Sequence, residues 1–213
     1  IGGEYKGVPC GSFGTISTFS FYPNKHITTG EGGMLVTNDK FLSDRCKSLR
    51  NLCFKKEKRF VHHEIGWNYR MTNIQAALGL AQLEKLDETI NIKKSIGKKY
   101  LQLLGNIKEI QLPLEKTSYA ENLFWVFGLV LDYESGNNEN FMNKLNKEGI
   151  GTRPFFWPMH KQPVFNNKDL FKDQKFLISE RISKRGFYLP SGLGITDCEI
   201  KLVTEKIIKI LNE

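Results

Sequence analysis

"TISTFSFYPNKHITTGEGGMLVT" (15–37) is the stretch on which the interpretation of the whole chain turns. Its first residues alternate β-branched or aromatic side chains with small polar ones, the period of a strand with one buried face. "MLVT" (34–37) reads as a second strand. Between the two lie Lys25, His26 and the glycines at 30, 32 and 33, which permit positive φ and close backbone approach. The segment predicts a strand, a loop, a tight turn and a second strand. A lysine in such a loop is either a solvated charge or a reactive amine. Burial or a neighbouring cation lowers its pKa until the neutral amine can attack a carbonyl. The local pattern leaves both open.

Downstream, "DKFLSDRCKSLRN" (39–51) has apolar residues near helical spacing, and "CFKKEKRFVHHEIGWNYR" (53–70) reads as a long ordered loop. "TNIQ" (72–75) matches a capping box, in which the Thr72 hydroxyl and the Gln75 side chain satisfy free N–H groups reciprocally. Ile74, Leu78, Ala81, Leu86 and Ile90 follow with near-helical period, and the helix is expected to continue, interrupted around Gly97, to about Leu104. A domain boundary is expected there, dividing 1–104 from 105–213. "NLFWVFGLVLDY" (122–133) has the continuous apolar texture of a central strand. Residues 137–149 read as a helix ended by Gly149, 150–158 as a strand or extended segment stopped by prolines, and 175–186 as helical. "TDCE" (196–199) opens a last helix with Ile200, Val203, Ile207 and Leu211 inward.

The bulk properties narrow the function classes. The 213 residues are 40% hydrophobic and 25% charged, a soluble globular composition. No window approaches the roughly 20 apolar residues of a membrane span, so no membrane partner is expected. The N-terminus "IGGEYKGVPCG" has no secretory pattern and reads as the interior of a longer protein. Cys10, Cys46, Cys53 and Cys198 form no CxxC pair, which suits reduced thiols in the cytoplasm and no metal site. The net charge of +8 is spread out. Its denser runs, "KKEKR" (55–59) and "IKKSIGKKY" (92–100), read as solvated faces, the second on the exposed side of a helix. Nucleic acid is therefore not an expected partner, whereas a small phosphorylated substrate fits the positive bias.

"SFYPNKHITTGEGGMLVTND" (20–39), "IGWNYRMTNIQAALGLAQLEKLD" (65–87) and "GIGTRPFFWPMH" (149–160), in this order, resemble the DegT/DnrJ/EryC1/StrS sugar aminotransferases, nearest to their perosamine synthetase-like branch. The resemblance runs from "GGEYKG" to "LPSGLGITDCEI" and implies an α/β fold. That fold is fold type I of the pyridoxal-phosphate-dependent transferases, here the later part of the large domain and the α+β small domain. It implies pyridoxal 5'-phosphate as cofactor, with Lys25 as its Schiff-base lysine and proton shuttle, Ser20 on its phosphate, and Asn68 reaching the phosphate of a neighbouring subunit. A homodimer with a shared active site follows. Arg70 would face the same site, its planar fork suiting a carboxylate or phosphate, or else form an interface ion pair. His160 would lie near the substrate and Arg153 would meet the nucleotide phosphates, or both would be surface residues of the second domain. His26 is a further substrate-side candidate.

The implied reaction moves an amino group from glutamate, leaving 2-oxoglutarate, to a nucleotide-diphosphate-linked 4-keto-6-deoxy sugar. Family dehydratases carry histidine at the lysine position; here that position is Lys25 and the histidine follows it, favouring amino transfer. A dehydratase and a non-catalytic nucleotide-sugar-binding or regulatory relative remain the alternatives. Cys46 and Cys53 do not reproduce the iron–sulfur ligand grouping of some relatives. The family's aspartate motif, which pairs with the cofactor's ring nitrogen, belongs just ahead of Ile1, so the chain is expected to be the C-terminal part of a longer enzyme and inactive alone.

Overall fold

The computed structural model describes residues 1–132, 136–171 and 173–213. The chain divides into two compact units, Ile1–Ile90 with Lys116–Glu121, and Asn91–Glu115 with Asn122–Glu213.

In the first unit, a two-residue hairpin joins β1 (Glu4–Tyr5) and β2 (Val8–Pro9). The strands expected on either side of Lys25 are β3 (Ser17–Ser20) and β4 (Gly33–Val36), antiparallel, with Ser20 opposite Gly33. Helix α1 (Lys40–Leu49) starts where the Asp39 carboxylate accepts from the Leu42 N–H at 3.0 Å. Helix α2 (Asn73–Leu83) starts at the Thr72–Gln75 capping box. Its apolar residues do not line a core: Ile74 is 77% exposed and Leu78 53%. Ile27 and Cys53 are the buried hydrophobic residues of this unit among the described residues.

The helix break differs from the sequence expectation. Helix α2 stops at Leu83, and α3 runs unbroken over Leu86–Leu104. At the break the ladder tightens, with the Lys85 N–H donating to the Gln82 carbonyl at 3.1 Å. Gly97 lies inside α3, where the Phe124 ring sits against it and a Cβ would overlap that ring. This glycine admits a neighbour rather than ending a helix.

The second unit is built on an antiparallel sheet of order β5–β6–β8–β7, from β5 (Ile110–Gln111), β6 (Phe127–Leu131), β7 (Arg153–Pro154) and β8 (Gly186–Leu189). The apolar run starting at residue 122 supplies the interior strand β6. It becomes regular only from Phe127, since Phe124 takes a left-handed φ of 50°, and Tyr133 at its end lies outside the described residues. Within the extended segment 150–158, residues 153 and 154 pair with β8, and the Phe155 N–H extends the contact by donating to the Gly186 carbonyl at 3.1 Å. Helices α4 (Asn138–Lys147), α5 (Pro163–Asn166), α6 (Leu177–Arg185) and α7 (Asp197–Leu211) complete the unit. Gly149, at φ +79°, follows α4 as expected. In α7, Ile200, Val203, Ile207 and Ile210 are buried, and Leu211 packs partly against the same core. Tyr100, Phe127, Leu129, Leu145 and Phe187 form its centre.

One expectation for α3 is overturned. Lys93, placed by the sequence on a solvated face, is only 6% exposed, and its ammonium donates to the Ser191 carbonyl at 2.5 Å. Lys93 and Tyr100 lie seven residues apart, two helical turns, and so share one face. Tyr100 Oη donates to the adjacent Pro190 carbonyl at 2.8 Å. Together they tie the β8–α7 connection to α3. Among the described residues no helix is long and apolar enough to cross a membrane.

Candidate active site

The Lys25 loop is closed by backbone bonds. Phe21 N–H donates to the Gly32 carbonyl at 2.9 Å, Thr29 N–H to the Phe21 carbonyl at 3.0 Å, and Lys25 N–H to the Tyr22 carbonyl at 3.0 Å. Side-chain hydroxyls finish the closure: Thr28 Oγ1 donates to the Phe21 carbonyl at 3.0 Å and Thr29 Oγ1 to the Glu31 carbonyl at 2.7 Å. Such local bonds are what serine and threonine offer a loop in place of a ladder. Ile27 and Thr29 are buried, and Lys25 half-buried. Gly32, at φ +146°, sits where a Cβ would fall 2.6 Å from Thr29 Oγ1. The turn therefore requires glycine at this position.

Helix α2 supports the loop through two glutamines, Gln82, which the sequence pattern did not mark, and Gln75, which it marked only as a cap. Gln82 accepts from Thr28 N–H at 3.1 Å and donates to the Thr28 carbonyl at 2.7 Å. Gln75 donates to the Glu31 carbonyl at 3.2 Å. Polar residues on a helix ordinarily read as solvated; the available signal was that both lie in the helix following the loop's own motif.

The other candidates fall into three places. Ser20 ends β3 with an exposed hydroxyl that accepts a long bond from Tyr22 N–H, 3.4 Å. His26 donates from Nδ1 to the Ile1 carbonyl at 3.3 Å. Asn68 and Arg70 are brought together, with Arg70 Nε donating to Asn68 Oδ1 at 3.0 Å. Their segment is held against the end of α1, where Tyr69 N–H donates to the Arg50 carbonyl at 2.9 Å and Asn51 bridges Asn68. Arg70, Trp67, Tyr69, Met71, Phe19 and Gly33 line a cavity of about 740 Å³ in this unit.

In the second unit Arg153 is exposed on the edge strand β7. His160, in the 3₁₀ turn Met159–Lys161, is 7% exposed. Its Nε2 lies 3.0 Å from Glu180 Oε1, and its ring packs edge-on against Phe176 at 4.8 Å. The same Glu180 oxygen accepts from Phe176 N–H at 3.3 Å and has Lys161 Nζ at 3.6 Å. The His160 bond, the Phe176 N–H and the Lys161 charge all hold the Glu180 carboxyl below its usual range. Sequence reasoning missed Glu180, because nothing in a helix sequence shows which distant loop a carboxylate will meet.

Lys25, Ser20 and the Asn68–Arg70 pair all belong to the first unit, and of these Arg70 lines the cavity. Residues 1–208 match the model of the DegT/DnrJ/EryC1/StrS aminotransferase family. The chain is 39% identical over 207 residues to the GDP-perosamine synthase of Escherichia coli O157:H7, covering 97% of this chain and 55% of that protein. It is 37% identical over 216 residues to the GDP-perosamine synthase of Vibrio cholerae, covering 100% of this chain and 57% of that one. The chain thus spans a little over half the length of these curated relatives. Among solved structures, Helicobacter pylori PseC, an aminotransferase involved in the biosynthesis of pseudoaminic acid, superimposes with a TM-score of 0.90 at 23% identity, over 100% of this chain and 57% of its own. The chain shares that fold.

Proposed function

We propose, for a chain that belongs to the DegT/DnrJ/EryC1/StrS aminotransferase family, that the whole protein transfers an amino group from glutamate to the 4-keto carbon of a nucleotide-linked 6-deoxy sugar. Pyridoxal 5'-phosphate is the cofactor of this reading. The observation that carries it is the Lys25 loop: a half-buried lysine between Ser20 and a glycine turn whose backbone conformation excludes a side chain at Gly32. The exposed apolar residues of α2 and β4 support reading the chain as part of a longer protein.

The residues present fit the cofactor's chemistry. Bound there, pyridoxal phosphate supplies an electron sink for a carbanion at the amino donor's α-carbon. Lys25 would hold the cofactor through Nζ and, once displaced by the donor's amine, would take the proton from the donor's α-carbon and, in the second half of the reaction, deliver one to the sugar carbon that receives the amine, a general acid–base role. Ser20 Oγ donates to a phosphate oxygen. Asn68 serves the same phosphate in a neighbouring subunit, making the working form a homodimer. Arg70, already oriented by Asn68, offers its remaining N–H groups to a carboxylate or phosphate. His26, Arg153 and His160 are the further substrate-side candidates.

The test uses the full-length protein. With cofactor it should show a visible absorption band, and borohydride should fix the cofactor's mass to the peptide holding Lys25. Lys25→Ala should abolish both. A band that survives this substitution and resists borohydride would refute the assignment. Retention of nitrogen in the sugar product, read by mass, separates amino transfer from dehydration.

A further inference from the structure

The loop between α1 and Asn68 has a stem built at a conformational cost and a tip whose chemistry the proposed reaction has not used. Leu52 and Cys53 are consecutive left-handed residues, at φ 58° and 50°, a conformation disfavoured for side chains of this kind. The surroundings hold them there. Leu52 N–H donates to the Trp67 carbonyl at 3.0 Å and Cys53 N–H to the Ser48 carbonyl at 2.9 Å. Cys53 is fully buried against Gly66, where a Cβ would fall 2.6 Å from the Cys53 nitrogen. His62 Nδ1 donates to the Leu52 carbonyl at 2.7 Å, and Arg45 pairs with Glu64 at 2.6 Å. Backbone strain kept in place by its surroundings is a feature of sites that position something.

The stem positions an aromatic and cationic tip. Phe54 and Phe60 meet edge to face at 6.2 Å, and His62 packs on Phe54 at 5.2 Å. The Arg59 guanidinium stands 5.3 Å from the Phe54 ring centre and 5.6 Å from that of Phe60, an arrangement that orders the cation by its attraction to the ring faces. Phe60 is nonetheless 81% exposed. Lys55, Lys56 and Lys58 flank it, all exposed, against the single acid Glu57. Among the described residues none of these lysines has a carboxylate within ion-pair distance, and Glu64 is already taken by Arg45.

We propose that the loop Phe54–His63 is a recognition site for a nucleoside diphosphate, with the exposed Phe60 ring stacking on the base and Lys55, Lys56, Lys58 and Arg59 binding the two phosphates. It rests on the nucleotide-sugar reading above and assigns the nucleotide half of that substrate to this loop. Every base offers a flat π face to an aromatic platform, and a diphosphate needs a compact group of cations. The cations are confined to one loop, a footprint of one nucleotide; a single-stranded nucleic acid tracks a groove of roughly 4–16 nucleotides.

The experiment titrates GDP, guanosine and inorganic pyrophosphate against full-length wild-type protein and two variants. Phe60→Leu should weaken GDP and guanosine by about tenfold and leave pyrophosphate unaffected. The combined Lys55→Gln, Lys56→Gln and Lys58→Gln variant should weaken GDP and pyrophosphate, leave guanosine unaffected, and flatten the salt dependence of GDP binding. All the altered side chains are exposed, and thermal unfolding verifies that the variants fold. Wild-type GDP affinity in both variants overturns the proposal, as does tighter binding of a single-stranded oligonucleotide than of GDP through the same residues. The cofactor band is recorded on the same samples: its absence from the wild type counts against the aminotransferase reading, while its presence with unaltered GDP binding in the variants counts against the loop alone.

Discussion

Gln82 pairs with Thr28 as a neighbouring strand would, accepting from its N–H at 3.1 Å and donating to its carbonyl at 2.7 Å. A helix side chain thereby satisfies both backbone groups of a residue three positions from Lys25. Buried backbone groups left unpaired are costly, so this amide fixes the loop's path.

Replacing Gln82 by Leu removes both bonds while keeping the helix. The loss should cost about 1–3 kcal/mol of loop order and weaken cofactor binding about tenfold in the full-length protein, a factor that 1.4 kcal/mol represents. Far-ultraviolet dichroism should stay unchanged. Spectrophotometric titration with cofactor reads the effect, and wild-type affinity in Gln82→Leu would remove the clamp from the account.

Gly97 predicts an effect opposite to helix propensity. In an open helix, Gly→Ala stabilises by about 1 kcal/mol. Here the new methyl enters the space of the Phe124 ring, so Gly97→Ala should destabilise by about 1–3 kcal/mol, the range for overpacking. Thermal or urea unfolding measures it. Adding Phe124→Leu should recover part of the loss, because the two residues share one space and their effects cannot be additive.

Lys93 predicts a pH dependence. Burial lowers its ammonium from 10.5 to about 8, whereas the unfolded chain keeps the proton to about the ordinary value. Between about pH 8 and 10.5 the unfolded state binds more protons, so the burial penalty lifts and stability rises with pH. Tyr100 opposes this at the upper end: burial and the Glu199 charge raise its phenol, so stability falls once the unfolded tyrosine begins to ionise near pH 10. Unfolding between pH 7.5 and about 9.5 should show wild-type stability climbing relative to Lys93→Met. Parallel profiles would rule out a proton-linked role for the Lys93–Ser191 tie.

The sequence by itself determined most of the local elements and the family. Alternation in 15–20, the glycines after Lys25, and the boxes at Thr72 and Thr196 act over a few residues, so their outcome can be read without knowing what lies elsewhere. The order of the motifs around Lys25, Asn68 and His160 pointed to the family for the same reason, since each is a short run readable where it stands.

Only the tertiary structure decided the rest, because the deciding partner lies far away in sequence. Gly97 reads as a breaker until Phe124 is found against it. Lys93 looks solvated until Ser191 meets its ammonium, and Gln82 looks like surface until Thr28 faces it. His160 carries no mark of Glu180, nor does the spacing of "CFKKEKRF" show that Leu52 and Cys53 are left-handed and lie against Trp67 and Gly66. Periodicity reports which side of an element turns inward. It cannot name the residue waiting there, and at each of these positions the identity of that residue sets burial, charge and conformation.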